Sequence, residues 1–526
     1  MQVFLVLTAI AFLNAENGSY PYELSQSNSQ QAQKQEEKED DSEEEEEEQE
    51  DIETIIQQLG EQEREQEEPS LPYSFAEEEE KVELLSMKGY YRARIFLYSG
   101  LPLPDGKNVR YIRPDFFQSR LRLDPSVNLS PSIRVLSQID ILDDIVWGEG
   151  ARGFSTSGEL ICDTFNYGKN ISKCDGISRV VAVKRLWGEV DSILTFPVKL
   201  KIGRQPVNFG LGAYLNDGNG FKNLWDDAHL GTTKDRIAIT TKISDSFDFD
   251  IGIDILVSEL SDDGLADYFI VPRFRTSRIS LELYTNAQRS QKTELYYFLP
   301  YINWTPSYDF TFEIEGGIFT GNVDYIPVFQ NFTRYSVFAW NIASRVKWET
   351  GLIRIIFDAG YSSGDDNPND KDIKSIPMNP DFNIGFILYE DVLARHTANV
   401  VRDVEELSVG GADFFYSKGG VFGSYYFMPT IGLFPFESIG AYISTLFAFS
   451  NHIFLVDPRS GQQFFGREAK KGLSGVELDF GMRVGTESLE FGIQLGYLIL
   501  GNALRSAVPS GAKNTFKTQF RFTWNF

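Results

Sequence analysis

Ionisable side chains recur at every second position along several apolar stretches of this chain of 526 residues. Successive side chains of a β-strand point to opposite faces, so residues two apart share one face. Rows of charge on the inner face of a closed sheet set the ion selectivity of a pore. We predict that such residues line a pore, although any one of them could instead pair across strands and only stabilise the wall. The residues with this spacing are Lys199, Lys201, Asp248, Asp250, Asp254, Glu313, Glu315, Glu477, Asp479, Arg483, Lys517 and Arg521.

The histidines are the first place to look for catalysis, and the chain has three: His229, His396 and His452. Ser450 and His452 are two positions apart, so on a strand they would share a face, as a nucleophile and its base must. No acidic residue that would orient the histidine can be named, so the constellation of a hydrolase is incomplete. The chain is therefore predicted not to be an enzyme, and a barrel hydrolase that uses this pair remains the alternative.

Two acidic stretches that are rich in glycine and asparagine carry the hard oxygen ligands that calcium prefers. The first contains Asp217, Asp226 and Asp227, and the second contains Asp365 and Asp366. Their spacing is not that of a calcium loop between helices, and the same residue types are ordinary turn formers. We predict no cofactor, with calcium as the candidate metal.

The two cysteines, Cys162 and Cys174, lie close together in a polar stretch. In an exported protein such a pair favours a disulfide that closes one loop. A metal pair is disfavoured because no histidine lies nearby, and two unpaired thiols remain an alternative.

Alternating segments that must position the charged rows fill the chain from about Gly89 onward. Two examples are Phe247–Val257 and Val476–Val484, in which apolar and polar residues take opposite parities. Uninterrupted apolar faces of this length are what tilted strands need to cross a bilayer. About sixteen to nineteen such segments can be counted, and bacterial barrels use even numbers. The pattern predicts an all-β fold, a large antiparallel transmembrane β-barrel of 16 or 18 strands.

The last segment, Asn514–Phe526, has an almost wholly aromatic face opposite a polar one. A soluble sheet that bared such an edge would aggregate, whereas a barrel in lipid has no edge. We predict that this is the closing strand and that Phe522, Trp524 and Phe526 form the signal for barrel assembly.

The connections between segments fall into two length classes. Residues 244–246 and 486–488 are tight turns, whereas residues 208–234 and 364–381 belong to long loops. Short turns on one rim and long loops on the other are typical of a porin-like barrel. Residues 386–407 have few turn formers and are interpreted as a helix in a loop that folds into the lumen, with a distorted strand as the alternative.

The N-terminal region has a different composition from the rest. Residues 1–15 have the apolar core and small cleavage-site residue of a signal peptide. Residues 16–80 contain 25 acidic and 3 basic residues, a composition that predicts a disordered acidic tail. The remaining 51 acidic and 46 basic residues nearly balance, so a body built to bind nucleic acid is excluded.

Several scattered motifs resemble those of one family of predicted porin-like outer-membrane β-barrel proteins known mainly from myxobacteria and their relatives. They include Leu121–Ser130, Val183–Val190, Ile202–Pro206 and Gly496–Ala503. The Gly203-Arg-Gln element is also similar, more weakly, to alginate-export-type porins. The resemblance covers most of residues 91–526 and implies an outer-membrane barrel without a settled substrate. The cysteine-bearing stretch is not part of the family pattern.

Together these features predict a signal peptide (1–15), a disordered acidic periplasmic tail (16–80) and an outer-membrane barrel (88–526). The predicted function is a porin-like channel for passive diffusion of small polar solutes. The alternative is a structural or interaction protein with a plugged barrel that binds partners through its loops or acidic tail. Expected partners are outer-membrane lipid, the barrel assembly machinery and small polar solutes, whereas the oligomeric state is left open by the sequence.

Overall fold

A computed structural model describes most of the chain after residue 83. The described residues are 84–105, 108–112, 115–147, 181–191, 198–218, 231–256, 265–290, 293–326, 329–365, 370–394, 417, 419–436, 438–451, 471–507 and 514–526. The predicted signal peptide, the acidic tail, both cysteines and all three histidines lie outside these residues.

Eighteen strands form a closed antiparallel barrel in which each strand pairs with its neighbours in sequence. The strands are β1 Leu85–Ser99, β2 Phe116–Ser130, β3 Ile133–Trp147, β4 Val181–Asp191, β5 Val198–Pro206, β6 Thr233–Lys242, β7 Phe247–Leu256, β8 Leu265–Arg275, β9 Ile279–Arg289, β10 Thr293–Ser307, β11 Phe310–Ile326, β12 Phe329–Thr350, β13 Ile353–Ser362, β14 Ser424–Phe436, β15 Ile439–Ser450, β16 Gly472–Gly485, β17 Leu489–Leu500 and β18 Thr515–Asn525.

Closure is made between the first and last strands. Tyr91 of β1 lies opposite Leu121 of β2 on one side and opposite Trp524 of β18 on the other. The backbone N–H of Gly89 donates to the carbonyl of Phe526 at 2.9 Å, and the N–H of Phe526 donates back at 3.0 Å. The predicted barrel of 16 or 18 strands is thus confirmed as one of 18, with the aromatic terminal segment as its closing strand.

Five smaller elements lie in the described parts of the connections. Strands Leu101–Asp105 and Asn108–Ile112 form a hairpin between β1 and β2. The two-residue strand Asp372–Ile373 pairs in parallel with β12. A π-helix spans Leu388–Leu393 and an α-helix spans Asn502–Ala507.

In the described part of the chain, no helix has the length and apolar character needed to cross a membrane.

The two rims differ in the length of their connections, as predicted. At the rim where β1 begins and β18 ends, strands join through short turns such as 131–132, 244–246 and 486–488; we call it the short-turn rim. The opposite, long-loop rim carries the connections 207–232 and 363–423. The strand pairs β9/β10 and β11/β12 are joined at this rim by only three and two residues, so not every connection there is long.

The outer face of the barrel is an apolar belt. Along β16, for example, Leu478, Phe480 and Met482 are each 42–43% exposed, whereas the alternate residues Glu477 and Asp479 are buried. A surface of this kind would aggregate in water but is stable against lipid.

Aromatic pairs border the belt on both sides. Trp304 packs against Phe310 near the short-turn rim, with ring centroids 6.4 Å apart, and Trp340 stacks on Tyr361 toward the other rim, at 4.3 Å. Aromatic girdles at two levels are typical of membrane barrels.

The hydrophobic core lies inside the barrel. It is formed where two inward-folded loops, loop A (residues 207–218) and loop B (residues 374–394), meet the inner faces of the strands. Phe209 and Leu211 of loop A and Phe382, Phe386 and Leu388 of loop B are all at most 6% exposed. The predicted inward fold of the segment that starts at residue 386 is confirmed up to Ala394; residues 395–407 lie outside the described residues.

Candidate pore and its inward-folded loops

The twelve residues predicted to line a pore all lie on barrel strands, with the parity opposite to the apolar belt. They divide by exposure. Lys199 and Lys201 are about one-third exposed, whereas Asp254, Glu315, Glu477 and Lys517 are completely buried. A charged side chain of this barrel can therefore face the lumen without contacting water.

The partly exposed charges near the short-turn rim form ion pairs across strands. Glu189 of β4 lies 2.7 Å from Arg134 of β3 and 3.5 Å from Lys201 of β5. Asp191 lies 3.0 Å from Lys199. Since Arg134 is 41% exposed and Asp191 35% exposed, this part of the wall contacts water, and solvent screens these pairs.

A second group of paired charges lies on β6 to β9. Arg273 donates to Asp248 at 3.0 Å and also to Asp250, and Arg275 donates to Asp248 at 3.0 Å and to Glu282 at 2.9 Å. Deeper in the wall, Arg236 and Asp254 form a bidentate pair at 2.5 and 2.8 Å. Across these strands the charges pair with each other, and such pairs stabilise the wall.

Loop A is held by the carboxylate of Glu315 on β11. Its Oε2 accepts a hydrogen bond from the N–H of Ala213 at 3.1 Å, and the backbone N–H groups of Leu211, Gly212 and Tyr214 lie around this carboxylate. Gly210 and Gly212 have φ of +55° and +80°, values that glycine adopts without strain. Successive N–H groups in such a turn form a nest that binds an anion.

Loop B is held in the same way by Glu477 on β16. Oε1 of Glu477 accepts the N–H groups of Phe386 and, at 2.8 Å, Ile387, and Oε2 accepts the N–H of Leu388 at 2.7 Å. Gly385, just before this run, has φ of +78°. A Cβ on Gly385 would lie 3.1 Å from Oε1 of Glu477 and 2.7 Å from Leu446. A side chain at this position would therefore clash with the carboxylate that holds the loop.

Lys517 of β18 supplies the positive charge among the contacts that hold loop B. Its Nζ lies 2.8 Å from Asp391 and 3.5 Å from Glu390, both in loop B, and donates to the carbonyl oxygen of Phe386 at 2.9 Å. Tyr98 of β1 donates to the other oxygen of Asp391 at 3.0 Å. Because Lys517 is completely buried, removal of either charge would leave the other uncompensated.

The two loops also bind each other. The N–H of Asn379 in loop B donates to the carbonyl of Ala213 at 2.7 Å, and its side-chain amide donates to the carbonyl of Tyr214 at 2.9 Å. Asp381 of loop B accepts the N–H of Gly231 at 2.6 Å. Loops A and B therefore form one hydrogen-bonded unit across the lumen.

Two buried tyrosines of these loops have neutral phenols. Burial, together with the nearby Glu315 carboxylate, raises the pKa of the Tyr214 phenol well above its ordinary value. Burial likewise raises the pKa of Tyr389, whose hydroxyl lies 2.8 Å from the hydroxyl of Ser424. Both phenols therefore keep their protons at neutral pH.

A cluster of arginines that was not predicted lies on the inner face of β1 and β2. Arg92 lies directly opposite Arg120, and Arg94 lies opposite Arg521 of β18. Arg122 forms a bidentate pair with Asp140 at 2.6 and 2.8 Å. The only sequence signal was the alternation Arg92, Arg94 and Arg120, Arg122, which our choice of charged rows left out.

The other candidate sites are only partly described. Ser450 is buried at the end of β15, where its hydroxyl donates to the carbonyl of Gly472 at 3.3 Å, but His452 lies outside the described residues. Cys162 and Cys174 also lie outside them, so the disulfide stays a prediction.

Of the five candidate calcium ligands, Asp217 and Asp365 lie among the described residues. Asp365 is buried and accepts the N–H of Lys374 at 3.2 Å, and the backbone carbonyl of Asp217 accepts from Arg185 at 2.7 Å. Asp226, Asp227 and Asp366 lie outside the described residues. Among the residues that are described, no group of three or more acidic, histidine or cysteine side chains could hold a metal ion. The calcium site stays an untested prediction.

The predicted assembly signal lies on the outer face of β18. The ring of Phe522 contacts Phe491 at 5.2 Å and Tyr91 at 6.4 Å, and Trp524 and Phe526 are about half exposed. These contacts join β18 to both of its neighbours, and the role in assembly stays a prediction.

Several solved structures are similar to this chain, and each similarity covers 84% of this chain and 98% of the other. They include a BenF-like porin from Pseudomonas fluorescens Pf-5 (TM-score 0.49, 10% identity), the outer membrane protein opdK from Pseudomonas aeruginosa (0.45, 10%) and OccAB4 from Acinetobacter baumannii (0.46, 9%). No protein-family model matches the chain, and no curated protein matches it. The resemblance to the myxobacterial family therefore stays a prediction.

Proposed function

We propose that this protein is an outer-membrane channel through which small polar solutes diffuse passively, in a lumen narrowed by loops A and B. The observation that carries the proposal is a closed barrel of 18 strands with an apolar outer belt and partly exposed charges on its inner wall. Charges such as Lys199 and Asp191 are stable inside a membrane only where water reaches them. A barrel of this size encloses an aqueous lumen unless other parts of the chain fill it.

The proposal also assigns an orientation. Bacterial outer-membrane barrels have short turns on the periplasmic side and longer loops outside. We place the short-turn rim in the periplasm, which puts the acidic tail (16–80) there as well. The aromatic outer residues of β18 would then meet the assembly machinery from the periplasmic side.

Conductance across a planar bilayer tests the channel. The purified full-length protein is expected to give discrete single-channel currents in potassium chloride, at a level well below that of an unobstructed barrel because loops A and B cross the lumen. Liposome-swelling rates should fall as the size of the neutral solute increases. If neither the full chain nor a form lacking residues 16–80 opens a channel, the proposal is wrong.

The second candidate function is a plugged barrel that serves as a structural or interaction protein. It is favoured by the core inside the barrel, where Phe209, Leu211, Phe386 and Leu388 are nearly fully buried. A protein that never conducts, but begins to conduct when an anchor of loop B is removed, would be of this kind.

A further inference from the structure

Beside loops A and B the lumen contains an open cavity of about 620 Å³. The barrel side of the cavity is formed by the start of β6 and by β8 to β11. Its other side is formed by Tyr214 and Leu215 next to residues 376–381 of loop B. A solute that passes the loops on this side would lie between two surfaces that the structure fixes.

Aromatic side chains lie on both sides of the cavity, Phe319 and Tyr297 on the barrel and Tyr214 on loop A. Phe319 lies between Tyr214 and Tyr297, with ring centroids 5.2 and 5.3 Å away, and Tyr284 and Leu299 continue the surface. The ring planes meet at 53° and 61°, so the cavity offers the face or edge of single rings as apolar contact area for a ring-shaped solute.

The charges of the cavity lining are already neutralised or hydrogen-bonded. Lys234 Nζ lies 3.2 Å from Oδ2 of Asp267, and Asp381 accepts the N–H of Gly231. Asp267 is 1% exposed. A charged solute would have to be desolvated here without gaining an unpaired counter-charge, which is unfavourable.

Two hydrogen-bond acceptors at the cavity wall have no partner among the described residues. They are Oδ1 of Asp267 on β8 and Oδ1 of Asn286 on β9. Asn286 is 6% exposed, and it lies on the strand next to Asp267 and opposite Phe269. Buried acceptors without partners are costly, so a ligand that brings uncharged donors to them gains binding energy.

From these features we infer that the cavity is a binding subsite for a neutral polyhydroxylated ring, a mono- or disaccharide. The apolar face of the sugar packs on Phe319 and Tyr297, and its hydroxyls donate to Asp267 and Asn286. The inference names the solute class of the channel, and so it rests on the proposed function.

Saturation-transfer NMR on the full-length protein in detergent micelles tests the subsite without requiring conductance. Maltose is the probe, and benzoate and lysine represent aromatic anions and cations. Maltose is expected to bind and to be displaced by neither. The variant Asn286→Leu removes one acceptor at similar volume and should weaken maltose binding about fivefold to tenfold. Asn303→Leu makes the same change on the inner face of β10, outside the cavity lining, and should leave maltose binding unchanged.

The outcomes separate the two proposals. A protein that conducts but does not bind maltose, or that binds benzoate or lysine in its place, overturns the sugar subsite and leaves the channel intact. A protein that binds maltose with the expected loss in Asn286→Leu but never conducts supports the subsite and overturns the channel. Equal loss in both variants would show a general effect on the barrel and would overturn the assignment to Asn286.

Discussion

Replacing Glu477 by glutamine is expected to release loop B. The carboxylate accepts three backbone N–H groups, from Phe386, Ile387 and Leu388, and is completely buried. In glutamine one oxygen becomes an NH₂ group, so the N–H of Leu388, now 2.7 Å from Oε2, would face another donor. The bonds that remain lose the negative charge that strengthens them.

The size of the effect follows from these three bonds. A hydrogen bond to a charged group is worth about 1.5–3 kcal/mol and a neutral one about 1 kcal/mol, and a buried N–H without a partner costs about 1–3 kcal/mol. Two bonds that each weaken by about 0.5–2 kcal/mol and one unpaired N–H give Glu477→Gln a loss of about 2–7 kcal/mol in the free energy that holds loop B to the wall. The population of the released loop should rise at least about 30-fold.

Two measurements report this change. Hydrogen exchange at residues 386–388 should lose protection by about the same factor as the population of the released loop rises. Single-channel records should show a larger or more frequent high-conductance level. Glu477→Asp keeps the charge on a shorter side chain, so its effect should be intermediate.

Glu313→Gln is the matched control. Glu313 lies on the inner face of the barrel and accepts the hydroxyl of Tyr301 at 2.6 Å, but no hydrogen bond joins it to loop B in the described structure. It should leave the exchange protection of residues 386–388 and the frequency of the high-conductance level unchanged. If Glu477→Gln and Glu313→Gln behave alike in both assays, Glu477 is not the anchor of the loop.

Three further changes test other parts of the structure. Lys517→Met leaves Asp391 buried without its cation and should lower the free energy of unfolding by about 3–5 kcal/mol, which appears as a lower temperature of barrel unfolding on gels. Lys199→Met removes the cation of a partly exposed pair and should lower the free energy of unfolding by less than about 1 kcal/mol. Gly385→Ala should lower the unfolding midpoint more than Gly351→Ala does. Both glycines have positive φ, but only a Cβ on Gly385 would clash, because a Cβ on Gly351 meets nothing within 4 Å. Equal unfolding midpoints would contradict this. Leu478→Arg places a charge on the apolar belt and should lower the free energy of unfolding from vesicles by about 2–4 kcal/mol, and a neutral effect would mean that this face does not contact lipid.

The wall of the barrel could be predicted from the sequence because it depends on local alternation. In Val476–Val484 each residue's face follows from its parity alone, and the structure reproduces it. Strand number followed from counting such segments and from the rule of even numbers. These features need no knowledge of which residues meet across the lumen.

The anchors could not be predicted because they join distant parts of the chain. The Gly210-Leu-Gly element lacks the Gly-Lys-Ser/Thr that completes a phosphate-binding loop, so its sequence does not indicate an anion site. It does form an anion nest, but the anion is Glu315, 102 positions after Ala213. Loop B shows the same limit: residues 388–393 form a π-helix buried on all sides, which apolar periodicity alone does not distinguish from an ordinary helix.

Strand register distinguishes the two roles of inward-facing acids. Asp254 lies opposite Arg236, and Glu189 lies opposite both Arg134 and Lys201, so these acids are neutralised within the wall.

Glu477, in contrast, lies opposite Leu446 and Leu498, and Glu315 lies opposite Tyr301 and Ala343. A buried carboxylate without a basic neighbour in the wall needs donors from elsewhere, and a loop folded into the lumen has backbone N–H groups that need acceptors. At these two glutamates the carboxylate accepts from the loop N–H groups, and both needs are satisfied. An inward acid between apolar neighbours in the sheet therefore indicates where a loop enters the lumen, and a glycine with positive φ indicates which residues of the loop it holds.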